Sequence, residues 1–438
     1  MPIRSLDALR SGIGLAAAVR PIGRVTGVEA GRFTVSGLPR RTRLGDRVRV
    51  NSESGPSEGE VVAVRQDGAV VLSDASLSRV CMSDAVELLG SDGFAPAVGW
   101  IGRMIDPFGR PLDGRPLSRG GVVSPVRSAP PPAAGRRRVG ARLATGTAVF
   151  DTLLPIARGQ RIGLFAGSGV GKSSLLARFA RGVEADLVVI ALIGERGREV
   201  REFVEETLGP EGLARAVLVV ATSDQSAIVR RRCAWAALAV AEFFRDRGMH
   251  VLLLADSVTR FAEAHREIAL AAGENASLRG FPPSTAHEVM ALAERAGPGR
   301  DDLACGDITA VFSVLVAGSD MDEPVADILR GTLDGHVVLD RAIAERGRFP
   351  AVDVPRSVSR SLPKAASKGE NALIADARRM LMTYERAELI LQAGLYAPGS
   401  DPATDRAIAV FGGLDTFLAE ASPGGPGGAF ARLAEVLG

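Results

Sequence analysis

Residues 166–173 read AGSGVGKS and sit between the apolar run Ile162 to Phe165 and the helix-like stretch Ser174 to Arg181. No other stretch limits the fold as strongly, because a glycine-rich turn that leaves a strand and opens a helix is a phosphate cradle. Backbone N–H groups freed by the glycines converge on a phosphate, which makes Ala166, Gly167, Ser168, Gly169, Val170 and Gly171 binding candidates. Lys172 adds a point charge, the Ser173 hydroxyl can ligate Mg²⁺, and the helix N-terminus adds the positive end of its dipole. The strict pattern has Gly where this chain has Ala166, and Ala is small enough for the turn.

Around this loop the pattern predicts an α/β fold. From about Gly146 the chain alternates strand, loop and helix, with RIGLFA, LVVIALIG, AVLVVATS, HVLLLADS and DITAVFSVLVAG as strands. Nearly continuous apolar strands indicate a parallel sheet covered on both faces. EVREFVEETL and AIVRRRCAWAALAVAEFFRDRG supply helices between them. Such sheets bind ligands at the carboxyl ends of their strands.

Ahead of this core, about Gly23 to Leu89 reads as short strands broken by turns, the pattern of a small β-barrel or sandwich. Phe33 is the only aromatic residue there, so the segment is expected to be structural or an oligomer collar rather than a nucleic-acid platform. Pro- and Gly-rich turns follow at Pro96 to Gly121, and SAPPPAAGRRR at 128–138 reads as an exposed connection with solvated arginines. Beyond about Lys364 the chain is helical, with KGENALIADARRMLMTYERAELILQAG as the clearest amphipathic stretch before a flexible ASPGGPGG. These changes divide the chain into an N-terminal arm and barrel (1–90), a phosphate-loop core (91–363) and a C-terminal helical domain (364–438).

At 438 residues the chain exceeds what one core usually serves. A net charge of +2 gives no strong field for nucleic acid or an anionic membrane. Cys81, Cys233 and Cys305 are far apart and in no metal-ligand spacing, which suits a reducing cytosol. No run approaches the roughly 18 apolar residues of a membrane span, and Asp7 falls where a secretory signal would be apolar. A cytoplasmic protein is expected. Leu6, Leu9 and Ile13 share one face at helical spacing, so an amphipathic arm either docks a partner or packs on its own domain.

Two carboxylates mark strand ends. Glu195 follows LVVIALIG, and a carboxylate one sheet position from the phosphate lysine could orient or deprotonate a water attacking a γ-phosphate. Position alone leaves open a surface glutamate paired with Arg196 or Arg198. Asp256 ends HVLLLA, the placement of a carboxylate that holds Mg²⁺ through its water shell, with a helix N-cap as the alternative. In RFPAVDVPRSVSR, Arg360 is a candidate for neutralising transition-state charge.

AGSGVGKS, GERGRE, LLLADSVTRF, SVLVAGSDMDEPVAD with LDGHVVLDR, and PAVDVPRSVSR occur in this order across most of residues 20–400. Together they resemble the rotary ATP synthase family of hexameric P-loop ATPases. IGERGREVREF, LDGHVVLDR and YERAELILQAGLYAPGSDPATDRAI are similar to its flagellum-specific export branch, followed by the ATPases of type III secretion injectisomes. The resemblance implies ATP and Mg²⁺ as cofactors, Lys172 and Ser173 as phosphate and Mg²⁺ residues, Glu195 as catalytic glutamate and Asp256 as the Mg²⁺-side aspartate acting through water. It implies that Arg360 is an arginine finger entering the neighbouring subunit's site. Phe349 stands where the family usually has an adenine-stacking tyrosine and keeps the stacking face without the hydroxyl, with plain core as the other reading. Members of this branch usually carry prolines where this chain has Asn275 and Ala276, and Leu-Pro where it has Glu288 to Met290, in a segment that resembles a loop lining the hexamer's pore.

An ATP synthase divides its work between catalytic subunits and sister subunits that donate the arginine. Here Glu195 and an SVSR arginine lie in one chain, which fits a homohexamer catalytic at every interface. The implied function is a Mg²⁺-dependent ATPase energising protein export through the flagellar type III apparatus, with an injectisome ATPase as the alternative. An ATP synthase subunit or a ring translocase for RNA fits less well, the latter because aromatic residues are scarce before Phe94. A non-catalytic ring component does not fit the presence of Glu195. The implied partners are further copies of the chain, a regulatory stator-like export subunit on the N-terminal arm, the export gate, chaperones and unfolded substrates, with no nucleic acid. The implied location is peripheral to the inner membrane at the flagellar base.

Overall fold

The computed structural model describes residues 19–438 except 30, 54, 75–79, 91–92 and 317–320. The arm carrying Leu6, Leu9 and Ile13 lies outside the described residues. Strands β1 (Ile22–Glu29), β2 (Arg32–Ser36), β3 (Arg47–Ser52), β4 (Gly55–Val64), β5 (Ala69–Ser73) and β6 (Ala85–Gly90) close into a barrel in the order β1-β2-β5-β4-β3-β6. Closure follows from alternation: Phe33 and Val35 on β2, and Val48 and Val50 on β3, point inward with their neighbours outward. Phe33 fills the barrel centre at 1% exposure, so it offers no face to a base.

The barrel is locked to the core by charge and stacking. Glu60 on β4 meets Arg231 of the helix Ala227–Arg245 at 2.7 Å with both side chains buried. Arg127, from the linker after the strand Ser124–Pro125, reaches the same Glu60 at 3.4 Å and lies over the Trp235 ring of that helix at 4.0 Å.

Past the barrel, β7 (Gly93–Phe94) pairs with β9 (Ser124–Pro125), and between them β8 (Arg103–Ile105) joins the main sheet. The other strands of that sheet are β10 (Arg161–Ala166), β11 (Leu187–Glu195), β12 (Ala216–Thr222), β13 (Val251–Asp256), β14 (Ile308–Leu315), β15 (Gly335–Leu339) and β16 (Val352–Ser359). Their order is β16-β15-β10-β14-β13-β11-β12-β8. Apolar runs serve two cores at once: Val188, Ile190 and Leu192 enter one, and Leu187, Val189 and Ala191 the other. Helices Ala227–Arg245 and Val258–Ala272 cover one face, and Lys172–Gly182 with the C-terminal helices covers the other.

The five strands read from the sequence are mutually parallel; β16, at the edge, runs antiparallel to β15 and tolerates Pro355, whose missing N–H would break an inner ladder. Three expectations need correction. The 128–138 connection is not solvated throughout. Arg137 donates to the carbonyls of Cys305 and Gly306 and to Asp307, each at 2.7 Å, and Arg136 binds Glu294. These contacts lie beside the start of β14, at the amino-terminal end of the sheet. ASPGGPGG is not a loose end either: Ser422 N–H donates to Gly146, and Gly425–Leu437 is a helix that buries Phe430, Leu433 and Leu437. Finally, EVREFVEETL is not one regular helix, since Gly197–Glu202 passes into a π-helical turn at Phe203–Leu208.

The helix Lys368–Gln392 begins with a reciprocal cap between Ser367 and Glu370 and packs with Pro402–Ala419 and Gly425–Leu437. Among the described residues no helix is long and apolar enough to cross a membrane.

Candidate active site

Because β10, β14, β13 and β11 are parallel, their carboxyl ends lie along one edge of the sheet, and Ala166, Glu195 and Asp256 end three of them. Glu195 is not one sheet position from the loop strand. Strands β14 and β13, supplied later by the chain, stand between β10 and β11.

The loop turns at Gly169 and Gly171, whose φ values of 78° and 82° favour glycine. A Cβ on Gly171 would also meet the Phe349 ring at 3.0 Å. Val170 is buried and ties the loop to the core, while Lys172 opens the helix Lys172–Gly182. Phe349 lies against the loop with 46% of its surface exposed, which does not suit plain core.

Lys172 Nζ donates to Asp256 Oδ1 at 2.5 Å, and Ser313 Oγ donates to the same oxygen at 2.6 Å. Asp256 is therefore an ion-paired carboxylate; the cap of the next helix is Ser257, whose hydroxyl accepts from Arg260 N–H. Beside it lies a cavity of about 150 Å³ bordered by Ser173, Glu195, Glu199, Glu202, Thr207 and Asp256. The π-helical turn supplies Phe203 and Thr207 to its wall.

Glu195 faces this cavity, and Arg196 pairs instead with Glu199 at 3.0 Å. Burial first, then the nearby Asp256 carboxylate, pushes Glu195 up to about 7 against the pull of Lys172, and Glu199 adds to the rise. A carboxyl group so poised can accept a proton near neutral pH. The polar side chains that border the cavity are hydroxyls and carboxylates, the kind of oxygen donors Mg²⁺ takes. Among the described residues no three His, Cys, Asp or Glu side chains form a metal-holding group by themselves.

Arg360 is elsewhere. Val352 pairs with Leu339, level with Ala166, whereas Ser359 pairs with Gly335 at the far end of the sheet. Ser359 is four β15 steps from the level of Ala166, about 14 Å along the sheet, and two strands to the side, which takes Arg360 away from its own loop. Its side chain is exposed, with Nη2 donating to the Arg330 carbonyl at 3.3 Å.

Sequence reasoning missed Ser313, Glu199 and Arg260. Arg260 emerges in the first turn after Asp256 and pairs with Glu263 at 2.9 Å; that hydrogen bond, with the Glu263, Glu195 and Glu199 charges, raises its pKa against burial. Its place four residues past a strand-end carboxylate was the available signal. Ser313, with Thr309 one of two hydroxyls in an otherwise apolar strand, carried a fainter one.

Residues 146–359 match the ATP synthase alpha/beta family, nucleotide-binding domain, and residues 366–422 match the T3SS EscN ATPase C-terminal domain. A flagellum-specific ATP synthase of Caulobacter vibrioides is 45% identical over 421 residues, covering 94% of this chain and 95% of that protein. The chain belongs to the flagellar and type III secretion branch of the ATP synthase alpha/beta family. It is an ATP-hydrolysing P-loop enzyme. Two solved structures agree: the assembled ATPase EscN of the enteropathogenic E. coli type III secretion system, and the same ATPase in complex with its central stalk EscO. Their TM-scores are 0.86 and 0.85 at 34% identity, each covering 95% of this chain and 100% of that one.

Proposed function

We propose that the chain is the Mg²⁺-dependent ATPase that energises protein export through a flagellar type III secretion apparatus, acting as a cytoplasmic homohexamer with a site at each subunit interface. The observation that carries this is that one chain bears Lys172 and Glu195 at one end of its sheet and an exposed Arg360 at the other. Groups so far apart meet across a head-to-tail interface, and closed rings are built from such interfaces. Residues 1–90, 91–363 and 364–438 act as collar, catalytic core and helical domain.

Within each site, the backbone of residues 166–171 and the Lys172 ammonium hold the phosphates, and Lys172 leaves Asp256 to do so. Ser173 and Asp256, which border the same cavity, would hold Mg²⁺. Mg²⁺, when bound, supplies positive charge to the phosphate oxygens. The Glu195 carboxylate accepts the proton of the attacking water, and Arg360 of the next subunit takes up charge that develops on the far side.

Phe349 stacks on adenine. Phe349→Ala is expected to weaken nucleotide binding by roughly tenfold, while Phe349→Tyr keeps it, as stacking on an aromatic face is worth about 1–3 kcal/mol per base. Titration with a fluorescent nucleotide checks this, and unchanged affinity in the alanine variant would remove Phe349 from the site.

Neighbouring copies, a stator-like subunit on the N-terminal arm, the export gate, chaperones and unfolded substrates are the partners, at the inner-membrane face. The deciding experiment is gene deletion. A strain that loses its filaments and regains them with the wild-type gene, but not with a Lys172→Ala allele, supports the flagellar reading. Intact filaments with lost effector secretion would favour an injectisome, the reading to which the likeness to EscN lends support.

A further inference from the structure

We propose that Ser313 is a positioning residue, whose hydroxyl turns the Asp256 carboxylate so that one oxygen is left for the divalent cation at the phosphate loop. The inference rests on the proposed role of Asp256.

β14 reads ITAVFSVL and lies between β10 and β13, the strands that end in the loop and in Asp256. Ser313 is wholly buried in this apolar strand, where a hydroxyl without a partner is costly. Register dictates its partner. Ser313 pairs with Leu164 on one side, and on the other Phe312 pairs with Ala255, so the next step brings Asp256 beside Ser313.

Both hydrogen bonds to the carboxylate fall on Oδ1, from Ser313 at 2.6 Å and Lys172 at 2.5 Å; Oδ2 accepts none among the described residues, and the group borders the cavity. The two holds are unequal. Lys172 is on a long flexible arm for which a phosphate competes. Ser313 has a one-carbon arm on a buried strand, and Leu315 N–H donates to Thr259 Oγ1 at 2.9 Å, fastening the end of that strand. Once Lys172 turns to a phosphate, Ser313 alone keeps the carboxylate oriented. Outer partners of this kind set the geometry and affinity of metal-ligating carboxylates.

The test uses the full chain with ADP, and Mn²⁺ as a paramagnetic stand-in for Mg²⁺. Mn²⁺ affinity of the ADP complex is read by electron paramagnetic resonance, and ADP affinity without metal is read in EDTA. Ser313→Ala is expected to weaken Mn²⁺ binding roughly tenfold while metal-free ADP affinity stays within about twofold, and Ser313→Thr restores the metal affinity. If the alanine variant does not fold, Ser313→Cys, of similar size and a weaker donor, carries the same comparison. Unchanged Mn²⁺ affinity, or an equal loss of ADP affinity in EDTA, would overturn the proposal. An Asp256→Asn variant that binds Mn²⁺ as tightly as wild type would overturn the role of Asp256 itself, and the proposal with it.

Discussion

Glu195→Gln will bind nucleotide about as tightly as wild type and hydrolyse it about a hundred- to ten-thousand-fold more slowly, the span that a positioned general base contributes. The amide keeps the size and hydrogen-bonding reach of the carboxyl, so the cavity it borders with Ser173 and Asp256 should survive the change. What it loses is the capacity to take a proton near neutral pH. That capacity comes from place: burial, with Asp256 next, pushes Glu195 up to about 7, and neither cause is local to the GERGRE sequence. Single-turnover hydrolysis beside nucleotide titration separates the two effects. A variant that turns over near the wild-type rate would rule out Glu195 as the base. One that no longer binds nucleotide would point to a structural role.

The second large effect concerns the interface. Arg360→Ala should cost roughly three to five powers of ten in turnover while leaving the loop of its own subunit intact. Lys172→Ala should be comparably inactive with its own Arg360 intact. Mixed in equal amounts, the two variants place an intact loop against an intact arginine at about one interface in four of a head-to-tail ring, and about that share of wild-type activity should return. Recovery follows from the register of β16: an antiparallel edge strand carries Arg360 to the end of the sheet opposite Ala166, out of reach of its own Lys172. Mixed rings that recover nothing, although assembled, would count against an arginine acting in trans.

The parts legible in advance were those whose signal is local. A strand-turn-helix written as RIGLFAGSGVGKS, a strand ending in Asp256 and a barrel of alternating valines are each specified by neighbours within a few residues. Strands β8, β15 and β16 were not among those read, being short, turn-flanked or interrupted by Pro355. The 128–138 arginines and the ASPGGPGG segment were misjudged for a related reason. Their composition is that of loops, and what orders them is a distant carbonyl, carboxylate or helix.

The sequence by itself determined that a phosphate-binding loop sits between a strand and a helix, and that Glu195 and Asp256 end strands of one parallel core. Backbone geometry and apolar periodicity act over a few residues and so can be read without a fold. Only the tertiary structure decided how these pieces relate. It inserted β14 and β13 between the strands of the loop and of Glu195, set Ser313 against Asp256, and carried Arg360 away from its own site. Strand order depends on which distant segments bury each other's apolar faces, and proximity across the sheet is therefore not written in spacing along the chain.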